Sequence, residues 1–557
     1  MLKIAGISES VCQRALLLGV LATACSAQNA SDASKLDPAR VAAIRTHIAS
    51  TWDVLTRSMS DCKTVTDPKM PSASVLYLPA EYGIPPAVEK AQQDCHIQVK
   101  KLPAQIHGPG EVDTNKFDPH GLLYLENNYV VPGGSFNEMY GWDSYFIVRG
   151  LVSDGRVPLA RGMVDNFFFE IEHYGTILNA NRTYYLTRAQ PPFLTAMVMS
   201  VYEAEKAAGK ADKAWLAKAY GYATKDYAMW TRAPHLAGNT GLSRFYDFGN
   251  GLTPESLVDE EGVQRAAVAY FMAHPAEARN YIAPLKAGES GSVYDPAFTV
   301  EVCDTASSAA HQKCETKTTL HMTEEYWHGD RAMRESGYDI SFRFGPYGVG
   351  THHFAPVCLN SLLYKTEKDM EAMARILGRT QDAKQWGERA ATRAATMRKL
   401  FWDTERGEFF DYDFEAGKRS GYEFASTFFP LWAGWATLEQ ARAVQKNIGI
   451  FERAGGIVAS TRESGVQWDF PYGWAPQQLF AVEGLRNYKM DADADRISIK
   501  FLSTVMDDYK RVGSILEKYN MLTRSSDVTV AAGYQYNADG FGWTNGVFLV
   551  LLEKLPK

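Results

Sequence analysis

An all-α scaffold presenting long loops is predicted by two patterns in this 557-residue chain. Apolar residues recur at helical spacing from Val157 to Tyr174, Pro192 to Ala207, Asp212 to Trp230, Asn360 to Leu377, Asp382 to Phe401, Leu438 to Asn447 and Asp491 to Lys510, which is the mark of helices with one buried face. Between these helices lie irregular segments rich in Gly, Pro, Asn, Asp and aromatic residues, such as Val131 to Tyr145 and Val466 to Pro476, and strand-like stretches are scarce. Long loops on a rigid scaffold are where binding and catalytic groups concentrate.

Taken in order, the chain opens with Lys3 and Arg14, an apolar run from Ala15 to Ala22, and small residues around Cys25. Residues 1–27 therefore read as an export signal, too short to span a bilayer. Leu21-Ala22-Thr23-Ala24-Cys25 resembles a bacterial lipobox, which would lipidate Cys25; ordinary cleavage after Ala27 is the competing reading. The expectation is an exported, periplasmic protein whose tie to a membrane, if it has one, is a lipid at Cys25. Residues 28–74 read as a tether and first helix, with structure starting near Pro38, and residues 75–557 as one catalytic domain. Cys62 with Cys95 and Cys303 with Cys314 are sequence-local pairings in polar stretches, fitting a disulfide-stapled insertion around 62–95. Cys358 lies in the apolar stretch Pro356-Val357-Cys358-Leu359 and reads as a buried thiol.

Composition narrows the function. Hydrophobic residues make up 46% and charged residues 22% of the chain, ordinary globular usage. A net charge of -7 lacks the basic footprint that tracks phosphates, so no nucleic-acid partner is expected. Aromatics reach 12%, with 29 Tyr and 12 Trp, and such rings suit the apolar faces of sugars as well as core packing. A small carbohydrate is the expected partner and a monomer the expected state.

Hydrolysing a glycosidic bond needs one carboxyl to protonate the leaving oxygen and a second carboxylate; in inverting enzymes the second activates water. Three segments set carboxylates among Gly and aromatic residues: Pro132-Gly133-Gly134-Ser135-Phe136-Asn137-Glu138-Met139-Tyr140-Gly141-Trp142-Asp143, Glu335-Ser336-Gly337-Tyr338-Asp339, and Gln467-Trp468-Asp469-Phe470-Pro471-Tyr472-Gly473-Trp474-Ala475-Pro476. Solvated surface carboxylates seldom keep such company.

The first and third segments resemble the two signatures of the trehalase family, glycoside hydrolase family 37, the first at all but one fixed position and the third throughout. Further stretches resemble it in the same order: Asn179 to Phe193, Leu242 to Asp247, Ser336 to Asp339, Leu359 to Leu362, Glu517-Lys518-Tyr519 and Asp539 to Val547. The resemblance implies an (α/α)6 barrel, inversion at the anomeric carbon, Asp339 as general acid and Glu517 as general base, and α,α-trehalose as substrate. It also implies subsite roles for Phe136, Tyr140, Trp142, Asp143, Asn179, Arg188, Gln190, Arg244, Glu255, Gly337, Gln467 and Trp468.

Several positions depart from the family. Tyr338 replaces a Trp, Ser135 and Thr253 stand where the family has Arg, and the segment Asp527 to Tyr536 lacks the Glu of the usual lid, leaving Tyr534 or Gln535 to replace it. Arg334 and Arg462 could return the positive charge. Two alternatives stay open: an inverting α-glucosidase acting on another α-linked glucose disaccharide, and a non-catalytic carbohydrate-binding surface lipoprotein. No cofactor is implied. His352-His353 carries no expected metal site, since neighbours on a regular helix or strand point apart and no His-Glu-x-x-His motif accompanies them.

Overall fold

A computed structural model of the chain describes residues 36–66, 74–253, 261–284, 300–303, 317–531 and 537–556. The expected export signal and lipobox, Cys314, Glu255, Tyr534 and Gln535 lie outside the described residues. Among the described residues no helix is long and apolar enough to cross a membrane.

Two rings of helices dominate. The outer ring comprises α1 (Pro38–Leu55), α3 (Val157–His173), α5 (Lys213–Trp230), α8 (Thr380–Phe401), α10 (Leu438–Lys446) and α12 (Asp491–Val512). Its members bury one face, as in α12, where Ala494, Ile497, Phe501, Leu502 and Val505 turn inward. The inner ring comprises α2 (Asp143–Ser153), α4 (Leu194–Ala207), α7 (Val357–Ile376), α9 (Phe429–Ala433), α11 (Ala475–Asn487) and α13 (Gly542–Glu553). Each inner helix touches the next and α13 closes on α2, so the ring is complete and the fold is an (α/α)6 barrel. A further helix, α6 (Glu324–Glu335), leads into the Ser336 to Asp339 segment.

The seven helices read from periodicity appear within a few residues of their expected bounds. Inner helices α2, α9, α11 and α13 carry no such signal, because both their faces are covered: every residue from Gly542 to Leu551 is buried, as is every one from Ala475 to Leu485. The irregular segments 131–145 and 466–476 are thus loops that run into helices at Asp143 and Ala475. Helix α1, grouped with the tether by sequence, packs on α12 and α13 as an outer member of the barrel. Cys62 and Cys95 form the expected disulfide, joining the ends of two short helices beside a three-stranded parallel sheet (98–101, 75–78, 122–123), and Cys358 is a buried thiol.

Closure depends on glycine. A Cβ at Gly150 of α2 would lie 2.4 Å from Cα of Gly546 in α13, and one at Gly546 would lie 2.1 Å from the carbonyl oxygen of Phe146, so the first and last inner helices meet backbone to backbone. Inside the ring Phe146, Phe193, Phe429, Trp432 and Phe480 pack edge-on and stacked. Beside them the carboxylate of Glu483 on α11 binds Arg149 of α2 at 2.7 Å and Lys554, which caps α13, at 2.6 Å, and accepts from Nε1 of Trp432 at 3.0 Å. Burial alone would push Glu483 up, but Arg149 and Lys554 outweigh it and hold its pKa at about 2.

Two stability predictions follow from this closure. Glu483→Gln takes the buried anion from half-buried Arg149 and exposed Lys554 and is expected to cost about 1–3 kcal/mol in urea unfolding at neutral pH. The folded pKa lies below the ordinary 4.5, so this contribution is present above about pH 4.5 and is lost as pH falls toward 2. The gap between wild type and variant should close over that window, and a gap independent of pH would contradict the assignment. Gly546→Ala forces the two helices apart and is expected to cost at least about 1–3 kcal/mol. Gly221→Ala, on the exposed side of α5 with nothing within 4 Å of the new methyl, is the control and should gain about 1 kcal/mol.

Candidate active site

Each outer helix is followed in the chain by its inner partner, so the connections that enter the inner ring gather at one end of the barrel. The Pro132 to Asp143 segment delivers α2, Asn179 to Phe193 delivers α4, Gln467 to Pro476 delivers α11, and the Glu517 to Phe541 stretch delivers α13. Topology alone thereby collects motifs far apart in sequence.

Their aromatic residues lock together. The Trp142 ring lies 5.5 Å from Tyr338, 5.9 Å from Trp468 and 5.6 Å from Trp543, while Trp468 stacks on Trp474 at 3.9 Å and Tyr338 meets Trp468 edge-on at 5.0 Å. Gly337 sits in the left-handed region at φ +74, and a Cβ there would come within 2.9 Å of Trp142, so only glycine lets the Asp339 loop lie against that ring. Arg343, paired with both oxygens of Asp411 at 2.7 Å, braces Tyr338 and Phe424 from beside it.

Polar contacts fix the carboxylates. The side-chain amide of Gln467 donates to the carbonyl of Asp339, and the Trp468 amide donates to that of Ile340 at 3.4 Å. Glu517 is buried; Lys518 Nζ lies 3.0 Å from its Oε2, and Trp543 Nε1 donates to its carbonyl at 3.1 Å. Asp143, at the first turn of α2, is held well above the ordinary carboxylate range, first by burial, then by the charge of Glu517, with Asp339 adding to it. One buried acid thus feels both of the expected catalytic carboxylates.

The other expected subsite residues divide. Phe136 packs on Tyr140 at 5.5 Å, and Tyr140 on Tyr185. Gln190 Oε1 accepts from the Trp142 amide at 2.9 Å, and Asn179 Oδ1 accepts from Arg188 Nε at 2.8 Å, so these pairs hold the first signature in place. Arg188 also stacks over Tyr185 and reaches Asp247 at 3.8 Å. Arg244 is engaged elsewhere: it donates to the carbonyls of Pro234 and His352, both at 2.9 Å, and covers Tyr246. Ser135 is exposed and Thr253 fully buried. Arg334 is buried in a pair with Asp330 at 2.9 Å, whereas Arg462 lines a cleft of about 380 Å³ with Phe342, Tyr422 and Thr461, directly after the Asp339 loop. Lys518 and Trp543 lay inside recognised motifs, yet nothing in the sequence marked them as the contacts of Glu517.

A neutral Asp143 is stable only while it keeps its proton. Its raised pKa means that its contribution is intact at low pH and is lost as pH rises through the folded value. Asp143→Asn is therefore expected to melt at higher temperature than wild type, with an advantage that grows as pH rises and reaches about 1–3 kcal/mol. Equal melting curves at pH 5 and pH 9 would refute the assignment.

Similar proteins agree with this geometry. The family profile described as Trehalase matches residues 26–556. A probable trehalase of Eremothecium gossypii is 35% identical over 90% of this chain and 71% of its own, and a cytosolic neutral trehalase of Emericella nidulans is 33% identical over 91% and 71%. The solved structure of neutral trehalase Nth1 from Saccharomyces cerevisiae superposes with a TM-score of 0.73 at 30% identity, covering 93% of this chain and 94% of that one. These relatives are fungal and two are named cytosolic or neutral enzymes, which overturns the expectation of an exported, periplasmic protein of bacterial type. That expectation came from the first 27 residues alone, and the relatives match the folded body. By profile, sequence and fold together, the chain belongs to the trehalase family.

Proposed function

We propose that the chain hydrolyses trehalose to two glucose molecules with inversion, Asp339 acting as general acid and Glu517 as general base. The observation that carries this reading is the convergence on Asp143 of charge from both carboxylates within an aromatic enclosure. In the inverting reaction the acid protonates the bridging oxygen as the glycosidic bond breaks, and the base takes a proton from the water attacking the opposite face. Lys518 beside Glu517 keeps that carboxylate oriented, and the contacts from Gln467 and Trp468 hold the backbone carbonyls of Asp339 and Ile340. A protonated Asp143 can donate a hydrogen bond to a sugar hydroxyl, which an ionised one cannot.

A second reading, hydrolysis of another α-linked glucose disaccharide, is favoured by Ser135 and Thr253, where the family has Arg. Guanidinium groups hold sugar hydroxyls and reject analogues lacking them, so their absence loosens discrimination at the second glucose. Arg462, on the cleft beside the Asp339 loop, is positioned to compensate.

Both readings are tested by glucose release from trehalose, kojibiose, nigerose and maltose. Trehalose is expected to be preferred, with one α- and one β-glucose appearing first by NMR. Asp339→Asn and Glu517→Gln should each lower kcat about 10²–10⁴-fold while melting normally. Preference for another disaccharide would favour the second reading, and full activity in either variant would remove that residue from its role.

A further inference from the structure

His352 and His353 occupy a single tight turn, Thr351–His353, packed against the first turns of α6. On a regular helix or strand their side chains would diverge; on this turn their rings lie 3.9 Å apart, and both are 4% exposed. Nε2 of His352 lies 3.1 Å from Oε1 of Glu325, and Nε2 of His353 lies 2.6 Å from the same oxygen. The three ligand atoms all fall within 4.8 Å of one another. On its far side, His353 Nδ1 stands 2.7 Å from Oε1 of Glu415, at hydrogen-bond distance but off the straight line.

We propose that Glu325, His352 and His353 form a binding site for a divalent transition-metal ion of the zinc class, with Glu415 orienting His353 from behind. Two imidazole nitrogens and one carboxylate oxygen form a donor set that suits zinc, cobalt or nickel and leaves a position for water. Metal bonds of about 2.0–2.2 Å place tetrahedral ligand atoms about 3.4 Å apart, so the His353 contact has to open by about 0.8 Å and the widest of the three separations to close by at most about 1.4 Å.

Proton bookkeeping points the same way. Without a cation, both Nε2 atoms must carry hydrogens to share one oxygen, which leaves the His353 Nδ1 lone pair 2.7 Å from the Glu415 carboxylate with no hydrogen bond between them. With a cation at Nε2, one hydrogen on Nδ1 suffices, in the carboxylate–histidine–metal arrangement common to such sites. Arg244 is a cation close to His352, and its guanidinium is directed at the His352 backbone carbonyl.

The site lies away from the proposed catalytic carboxylates. Glu325 stands at the start of α6 and Asp339 beyond its end, a separation of about 15 Å along the helix at 1.5 Å rise per residue. The ion would join α6, the 351–353 turn that anchors Arg244, and the 412–419 hairpin that bears Glu415.

The test uses the untagged full chain stripped with EDTA. Titration with Co²⁺ should give visible absorption bands saturating at one equivalent, and calorimetry with Zn²⁺ one site of matching stoichiometry. Glu325→Gln and His353→Gln should abolish the bands, and Glu415→Gln should weaken binding about 10–100-fold. Zn²⁺ should also shield His352 and His353 of the wild type from diethyl pyrocarbonate, mapped by mass spectrometry, which locates the ion even where a variant does not fold. No stoichiometric binding below about 100 μM, a Co²⁺ spectrum unchanged in folded Glu325→Gln or His353→Gln, or modification of both histidines at the same rate with Zn²⁺ would each overturn the proposal.

Discussion

Glu483 draws four inner helices to one point. Its carboxylate sits on α11, takes Arg149 from α2 and Lys554 from the end of α13, and accepts the indole proton of Trp432 on α9. A ring of helices buried on both sides gains its hydrophobic energy from any close arrangement, so apolar packing by itself leaves rotation and axial shift weakly specified. A charge that must be matched within hydrogen-bond distance specifies them. Arg149 lies seven residues beyond Trp142, about two turns along α2, so pinning one end of that helix fixes where Trp142 and Asp143 project at the other. The Gly150–Gly546 contact removes the remaining slack by letting α2 and α13 touch along their backbones.

Above that anchor the site is assembled by aromatic contact. Trp142, Tyr338, Trp468, Trp474 and Trp543 come from four separate stretches of chain, and each ring is fixed by two or more of the others. The enclosure surrounds Asp143 and Glu517, both buried, and leaves Asp339 half-buried at its edge. Burial and the charges of Glu517 and Asp339 raise the Asp143 pKa, while Lys518 stands beside Glu517.

How much of this the sequence discloses depends on which physical signal each residue leaves. Outer helices are wet on one side, so their periodicity is visible, and α12 could be bounded to within two residues. Inner helices α2, α9, α11 and α13 have no wet side and therefore no period; their existence followed only from the resemblance. The contiguous motifs were legible as motifs, and the rings of Trp142, Tyr338, Trp468 and Trp543 among them meet in space. A motif position says nothing of where a guanidinium points, and that of Arg244 points at two backbone carbonyls. The helpers Lys518 and Trp543 were invisible for the opposite reason: their importance lies in distances to Glu517, and distance across a fold leaves no trace in residue type. The inferred metal cluster shares that property, because His352 and His353 converge only through the tight turn on which they stand.

Where reaction and specificity reside also differs. The groups tied to bond cleavage are held by backbone contacts and stacked rings and have little freedom to vary without undoing the enclosure. The departures from the family pattern, Ser135 and Thr253, fall outside that packed set of rings, one in an exposed loop and the other fully buried. Changing either leaves intact the ring contacts that brace the Asp339 loop and the indole bond to the Glu517 carbonyl, so the proposed acid and base keep their surroundings while those two positions vary.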